Sequence, residues 1–119
     1  MDFANKELEK AAALAKRHGL KVWTFEKPYG KIEQIFFDDG KTYGTASVDF
    51  GGLKYGTCHA PCRECGTGFG LTHTSQSANI EDILRTLAYA PGWAMSKTVK
   101  KETFAQHIKR NSILRYCEL

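Results

Sequence analysis

The amino-acid sequence predicts a single α+β domain over residues 1–119, in which an N-terminal helix and two C-terminal helices pack on an antiparallel meander of four to five strands. Three observations lead to this fold. Apolar residues have helical spacing before residue 19, they alternate with polar residues in short segments between residues 20 and 58, and helical spacing returns after residue 79. A chain of 119 residues also has the usual length of one domain.

The first helix is expected over residues 2–18. Asp2 or Asn5 can accept hydrogen bonds from the free N–H groups of its first turn. Acidic residues come early and basic residues late, which suits the helix dipole, and Gly19 suits the left-handed position after a helix. One stripe of small and aliphatic residues can lie close to a sheet: Leu8, Ala11, Ala12, Leu14 and Ala15.

The strands of the meander are expected in short segments rich in β-branched and aromatic residues. Short polar turns separate these segments, as is typical of antiparallel neighbours, and Asp39-Gly40 is a hairpin turn that allows positive φ at low cost. Four strands are expected at residues 20–26, 31–37, 42–50 and 53–58, and residues 69–73 form a candidate fifth strand.

Two helices are expected after the strands. Residues 80–88 have helical spacing, and Asn79 precedes them as a cap. Residues 102–110 form a last short helix with Phe104 and Ile108 on one side. All three helices are expected on one face of the sheet.

The charge of the chain is mildly basic, with 17 Lys and Arg against 13 Asp and Glu, or a net +4. Residues 97–110 hold five basic side chains, Lys100 and Lys101 among them, and one acidic side chain. Such a segment can meet phosphates or an acidic protein, or can be an ordinary solvated helix face. No stretch approaches about 18 consecutive apolar residues, and the N-terminus lacks the order of a signal peptide. The sequence therefore predicts a cytoplasmic protein without a membrane partner.

Three of the four cysteines lie in residues 58–65, CHAPCREC. Cys62 and Cys65 have the spacing at which two thiolates can bind one zinc ion, and zinc needs two more ligands. The candidates for these two ligands are Cys58, His59, His73 and Cys117, of which Cys58 and His73 are the preferred pair. The second cysteine pair of the usual zinc pattern is absent from the sequence, so the alternative is reduced thiols and no cofactor.

The sequence contains no catalytic arrangement of known type. Residues 66–70, GTGFG, are one residue short of the G-x-G-x-x-G nucleotide loop, and the expected helix after such a loop is missing. A cysteine nucleophile beside His59 or His73 would lack a third group to orient the pair. The chain is therefore expected not to be an enzyme, and a small thiol or zinc enzyme is the alternative.

Lysine and aromatic residues are interleaved along two of the expected strands. Lys21, Trp23 and Phe25 alternate in the first strand, and Lys54 and Tyr55 lie in the fourth. Rings on a sheet can stack nucleic-acid bases while lysines bind phosphates. This pattern favours direct nucleic-acid binding, with or without a zinc knuckle, as a second function. The other interpretation is that Trp23 and Phe25 contact helix side chains.

Residues 36–71 resemble a group of small uncharacterised accessory proteins from tailed phages and prophages. The similarity lies in FFDDGKTYGTASVDFGGLKYGTCHAP, a short crossing and GTGFGL, and again in APGWA at residues 90–94 followed by VKK at 99–101. The matching segments lie between residues 36 and 101 of the 119. The matching positions are Thr57, His59, Pro61, Gly66, Thr67, Gly68 and Phe69.

The resemblance implies a phage-type accessory protein that binds and disables a host factor in the host cytoplasm. Its role would be counter-defence of the anti-CRISPR or anti-restriction kind, or host takeover, and its partner a host protein or protein–nucleic-acid complex. Polar residues often stand in that group where this chain has Cys58, Cys62 and Cys65, so a zinc site would be particular to this chain. The expected contact residues lie at the sheet edge, in residues 59–70 and in the basic segment: His59, Arg63, Thr67, Phe69, Lys54, Tyr55, Lys100 and Lys101.

Overall fold

The computed structural model describes residues 2–26, 30–49, 52–58, 69–75, 77–88, 103–110 and 115–119. In chain order the elements in these ranges are α1 (Lys6–Arg17), β1 (Lys21–Phe25), β2 (Gln34–Asp38), β3 (Tyr43–Asp49), β4 (Gly52–Cys58), β5 (Phe69–Ser75), α2 (Ile80–Ala88), α3 (Phe104–Arg110) and β6 (Tyr116–Glu118). None of the helices in these ranges is both long and apolar enough to span a membrane.

The six strands form one sheet in the order β5-β4-β3-β2-β1-β6, and every neighbouring pair is antiparallel. Strands β1 to β5 are consecutive in sequence and adjacent in space, which confirms the predicted meander. Strand β6 is an addition to it, because Tyr116 pairs with Phe25 and Glu118 with Trp23 on the other side of β1. The last strand of the chain therefore lies beside the first.

Helix α1 begins at Lys6, four residues later than predicted, and Asn5, one of the two predicted caps, precedes it. The Glu7 N–H donates to the Asn5 side chain at 2.7 Å, and Gly19 follows the helix with φ 86°. The Glu7 carboxylate also accepts from the Ala78 N–H at 2.9 Å. That bond, and then the bond from Lys10, lower the pKa of Glu7. Glu7 thus ties the first helix to the segment that precedes α2.

Helices α2 and α3 are capped by side chains of the residues before them. The Asp82 N–H donates to the Asn79 side chain at 2.9 Å, which confirms the predicted start of α2. The Gln106 N–H donates to the Thr103 hydroxyl at 3.1 Å, and the Thr103 N–H donates to the Gln106 side chain at 2.8 Å. This reciprocal capping box makes α3 begin two residues later than the sequence predicted.

The helices lie on both faces of the sheet: α1 and α2 on one, called the α1/α2 face, and α3 on the other, called the α3 face. The expectation that all three share one face is wrong. Successive strand residues point to opposite faces. Two adjacent large apolar residues of one strand are therefore both buried only if other elements pack on both faces of the sheet. Phe37 packs in the core with residues of α1 and α2, whereas the Phe36 ring lies 5.5 Å from that of Phe104 in α3.

The turn between β2 and β3 has the predicted Asp39-Gly40 chemistry. Gly40 has φ 89°, a conformation that residues with a Cβ rarely adopt. The Asp39 carboxylate accepts from the N–H groups of Lys41 and Thr42 at 2.8 and 2.7 Å. These bonds fix the hairpin from which the central strands of the sheet extend.

Candidate functional site

Strands β4 and β5 form a hairpin at one edge of the sheet, and this edge hairpin is the candidate site. Its ladder extends from Leu53, paired with Ser75, to Cys58, paired with Phe69. Residues 59–68 therefore connect two strands whose ends are held together by pairing.

The outer edge of β5 carries backbone N–H and C=O groups to which the structure, in the part of the chain it describes, assigns no further strand. Strand β5 has seven residues and contains no Lys, Arg, Asp, Glu or Pro, the residues that commonly block an edge. Among the described residues, the pairing of β5 with β4 has one irregularity, a shift of register between Tyr55 and Gly56 of β4, and a bulge at such a place can protect an edge. The opposite edge, β6, has three residues and carries Glu118. Strand β5 is therefore the more open edge for an added strand.

Lys54 and Tyr55 are neighbours in β4 and lie on opposite faces of the sheet. Lys54 is exposed on the α3 face, with Ser47 of β3 and Thr74 of β5 as its register partners. Tyr55 is fully buried with α1 and α2, so the expectation that its ring contacts a partner is wrong. Burial, and then the charge of Asp82, raise the pKa of Tyr55 to about 12.

The raised pKa of Tyr55 predicts a loss of stability in alkali. The ordinary value is 10.0, so the protonated phenol stabilises the folded state below pH 10, and this contribution disappears as the pH rises towards about 12. Urea unfolding at several pH values in this window is expected to show a smaller fall in the free energy of unfolding for Tyr55→Phe than for the wild type. An equal fall in both proteins would contradict the prediction.

The aromatic residues of β1 are packed beneath α3. The Trp23 ring lies 5.3 Å from that of Phe104, and the Phe25 ring lies 5.2 Å from Tyr116 and 5.4 Å from Phe36. The prediction of a stacking surface for bases on β1 is wrong, because these rings already pack on one another. The other interpretation, in which both rings contact helix side chains, is confirmed for Trp23, whereas the ring contacts of Phe25 are with strand residues.

A buried polar cluster on the α3 face was missed from the sequence. His107 is 3% exposed, its Nδ1 lies 2.7 Å from the Tyr43 hydroxyl, and its Nε2 lies 2.8 Å from the Tyr116 hydroxyl. The one sequence signal was the spacing of Phe104 and His107, which puts both on the same side of a helix. Nothing local in the sequence pairs His107 with either tyrosine.

The predicted zinc ligands fall only partly within the structure. Cys62 and Cys65 lie outside the described residues. Tyr55 of β4 pairs with His73 of β5 in the backbone register. Cys58 lies three residues further along β4, which separates it from that pair by about 10 Å along the strand. Within the described ranges, no three His, Cys, Asp or Glu residues come together as a metal site. The zinc site stays a prediction.

The expected contact residues divide into two groups. Lys54 is exposed and Phe69 is the first residue of β5, and their contact with a partner stays a prediction. Five others lie outside the described residues and stay predictions: His59, Arg63, Thr67, Lys100 and Lys101.

The chain matches no protein-family model, no curated protein and no solved structure. The resemblance to phage accessory proteins therefore stays a prediction from sequence motifs. No relative supplies a substrate, a partner or a catalytic residue for this chain.

Proposed function

We propose that this chain is a non-enzymatic binding protein of the phage accessory type, which docks on a host protein or protein–nucleic-acid complex. The resemblance of residues 36–71 to phage proteins supports a role in counter-defence or host takeover. The edge hairpin supports the mode of action, because that segment contains β3, β4 and the start of β5.

The main observation in support of this proposal is the length of the connection between β4 and β5. Hairpin connections usually have about two to five residues, whereas residues 59–68 span ten positions between the paired Cys58 and Phe69. Long connections on a rigid base commonly carry binding function. The part of the chain most similar to phage proteins therefore joins the two strands of the most open edge.

An extended segment of the partner fits the outer edge of β5. Strand addition would satisfy free backbone groups on both proteins, and the side chains nearby would select the partner. Exposed Lys54 contributes positive charge beside this edge. The other proposed contacts are His59, Arg63, Thr67, Phe69, Lys100 and Lys101.

Polar side chains of the kinds that enzymes use take part in the fold. His107 lies between two tyrosine hydroxyls. Asp39 holds the turn between β2 and β3, and Asn79 caps α2. These structural roles support binding in preference to catalysis.

Thr74→Glu is expected to weaken partner binding by about tenfold, because a charged side chain on an edge strand opposes the addition of another strand. Position 74 is the register partner of Lys54, and opposite charges across a ladder keep the hairpin folded. Ser47→Glu is the matched control, since position 47 faces the same lysine from the interior strand β3. The measurement is a pull-down from host lysate with quantitative mass spectrometry, followed by titration of the purified partner.

Equal binding by the Thr74→Glu and Ser47→Glu proteins would exclude the β5 edge as the contact. The absence of any enriched host protein would count against the binding proposal as a whole. Direct nucleic-acid binding is the competing outcome. It would appear as affinity for DNA or RNA whose logarithm falls linearly with the logarithm of salt concentration, without a host protein.

A further inference from the structure

His107 joins three elements that are distant in the chain. It belongs to α3, and its two ring nitrogens contact the hydroxyls of Tyr43 on β3 and Tyr116 on β6. We propose that His107 is a pH-sensitive latch: the neutral imidazole holds α3 and β6 on the sheet, and protonation releases them.

The contacts of the ring match a neutral histidine. A neutral imidazole has one N–H donor and one bare nitrogen that accepts, while a tyrosine hydroxyl can do either. One of Tyr43 and Tyr116 then accepts from the ring N–H, and the other donates to the bare nitrogen. Both nitrogens have a partner without any charge on the ring, whichever tautomer is present.

Protonation opposes this arrangement in two ways. A protonated imidazole has two donors and no acceptor, so the hydroxyl that donated to it must turn its proton elsewhere. A positive charge would also enter a site that is almost closed to water, which is costly. Acidification through the range in which histidine takes up a proton, near about pH 6.5, therefore works against the latch.

Aromatic rings surround the imidazole on several sides, with centroids 4.8 to 6.0 Å from it. They belong to Phe36 on β2, Tyr43 on β3, Phe104 on α3 and Tyr116 on β6. Ring faces attract a cation, which offsets part of the cost of protonation. The register also places four charged residues on this face of the sheet: Lys21, Asp38, Lys54 and Glu118. Helix α3 contains two more, Lys109 and Arg110.

Asp38 is the half-buried member of these charged residues, and it accepts from the Trp23 indole N–H at 3.3 Å. Its carboxylate therefore lies at the edge of the aromatic cluster, where it is hydrogen-bonded to Trp23. Histidine is the side chain type in this cluster that ordinarily titrates between about pH 5 and 8. A conformational transition of this face in that pH range would therefore be assigned to protonation of His107, and replacement of His107 tests the assignment.

The latch holds two short elements in place. Helix α3 has seven residues and strand β6 has three, so neither is stable without its packing. Trp23, Phe36 and Tyr43 pack against Phe104 of the helix. Release of His107 would uncover these rings, so that an apolar surface hidden at neutral pH becomes accessible in acid.

Trp23 reports on the latch because its indole packs on Phe104. The chain has two tryptophans, so a Trp93→Phe background isolates the signal of Trp23. Lowering the pH from about 7.5 to about 5 is expected to red-shift its emission and increase acrylamide quenching reversibly, with the circular dichroism of the sheet retained. His107→Gln, which cannot take up a proton, is expected to remove this step. His18→Gln is the control, because His18 is exposed after α1, and it is expected to keep the step.

A step that persists in the His107→Gln protein, or one that is absent from the parent, would overturn the proposal. If His107→Gln prevents folding, Tyr116→Phe gives a second measurement. It removes one of the two hydroxyls, so the weakened neutral latch is expected to release at a midpoint about 0.5 pH unit higher. An unchanged midpoint would also contradict the latch.

Discussion

Replacing Phe36 with alanine is expected to lower the free energy of unfolding by about 3–5 kcal/mol. Phe36 is fully buried on the α3 face, and its ring centroid lies 5.3 to 5.5 Å from those of Phe25, Phe104 and Tyr116. Truncation leaves a cavity that these rings can fill only in part, because strands and helix hold them apart. Urea unfolding measures the loss, and hydrogen exchange is expected to show α3 and β6 losing protection first.

Phe37→Ala is the matched control for that experiment. Phe37 is the next residue of the same strand, is equally buried, and packs on the α1/α2 face. It is expected to cost a similar amount of stability while reducing protection in α1 and α2 instead. The two faces would not be separate packing units if both variants loosened the same helices.

Gly44→Ala is expected to destabilise the fold by about 3 kcal/mol, although it adds a single methyl group. Gly44 lies in β3 directly beneath α2, where a Cβ would overlap the Thr86 side chain and stand 3.0 Å from the Thr86 carbonyl carbon. Helix backbone cannot rotate away as a flexible side chain can, so α2 must shift. Thermal or urea unfolding of the single variant measures the cost.

The source of that cost can be tested with Thr86→Gly. This change removes the side chain that the new methyl group would meet, at a cost in helix propensity. The double variant is therefore expected to be more stable than the two single effects predict, by about 1 kcal/mol or more. Simple additivity would show that α2 moves aside without strain.

The elements with strong local signals were predictable from the sequence. Helix α2 has the predicted bounds, since Asn79 caps it and its apolar spacing ends at Ala88. The Asp39-Gly40 turn fixes where β2 ends and β3 begins. In each case the residues that determine the local structure are a few positions apart, so a short segment of sequence is enough to predict it.

Strand β6 and the position of α3 could not be predicted in this way. Three residues are too few to show an alternating pattern, and β6 exists because it pairs with β1. Helix α3 lies opposite the other two helices because Phe104 and His107 fit a cluster built by β1, β2, β3 and β6. That fit depends on contacts between residues far apart in the chain.

The candidate site was partly predictable as well. Lys54 is exposed as expected, while its neighbour Tyr55 is buried. Consecutive strand residues point to opposite faces, so the sequence alone already implies that the side chains of Lys54 and Tyr55 lie on different faces of the sheet. The period could not show which face was covered, since that depends on where the helices pack.

The pairing of β6 with β1 has a consequence for folding during synthesis on the ribosome. Tyr116 follows its partner Phe25 by 91 positions, from 116 minus 25, which is roughly 5–20 s of translation. All the described helices and strands that form the α1/α2 face precede residue 89. The rings of β1 and β2 on the α3 face lack the partners that α3 and β6 supply until those elements have been synthesised, and transiently exposed apolar surface of this kind favours aggregation.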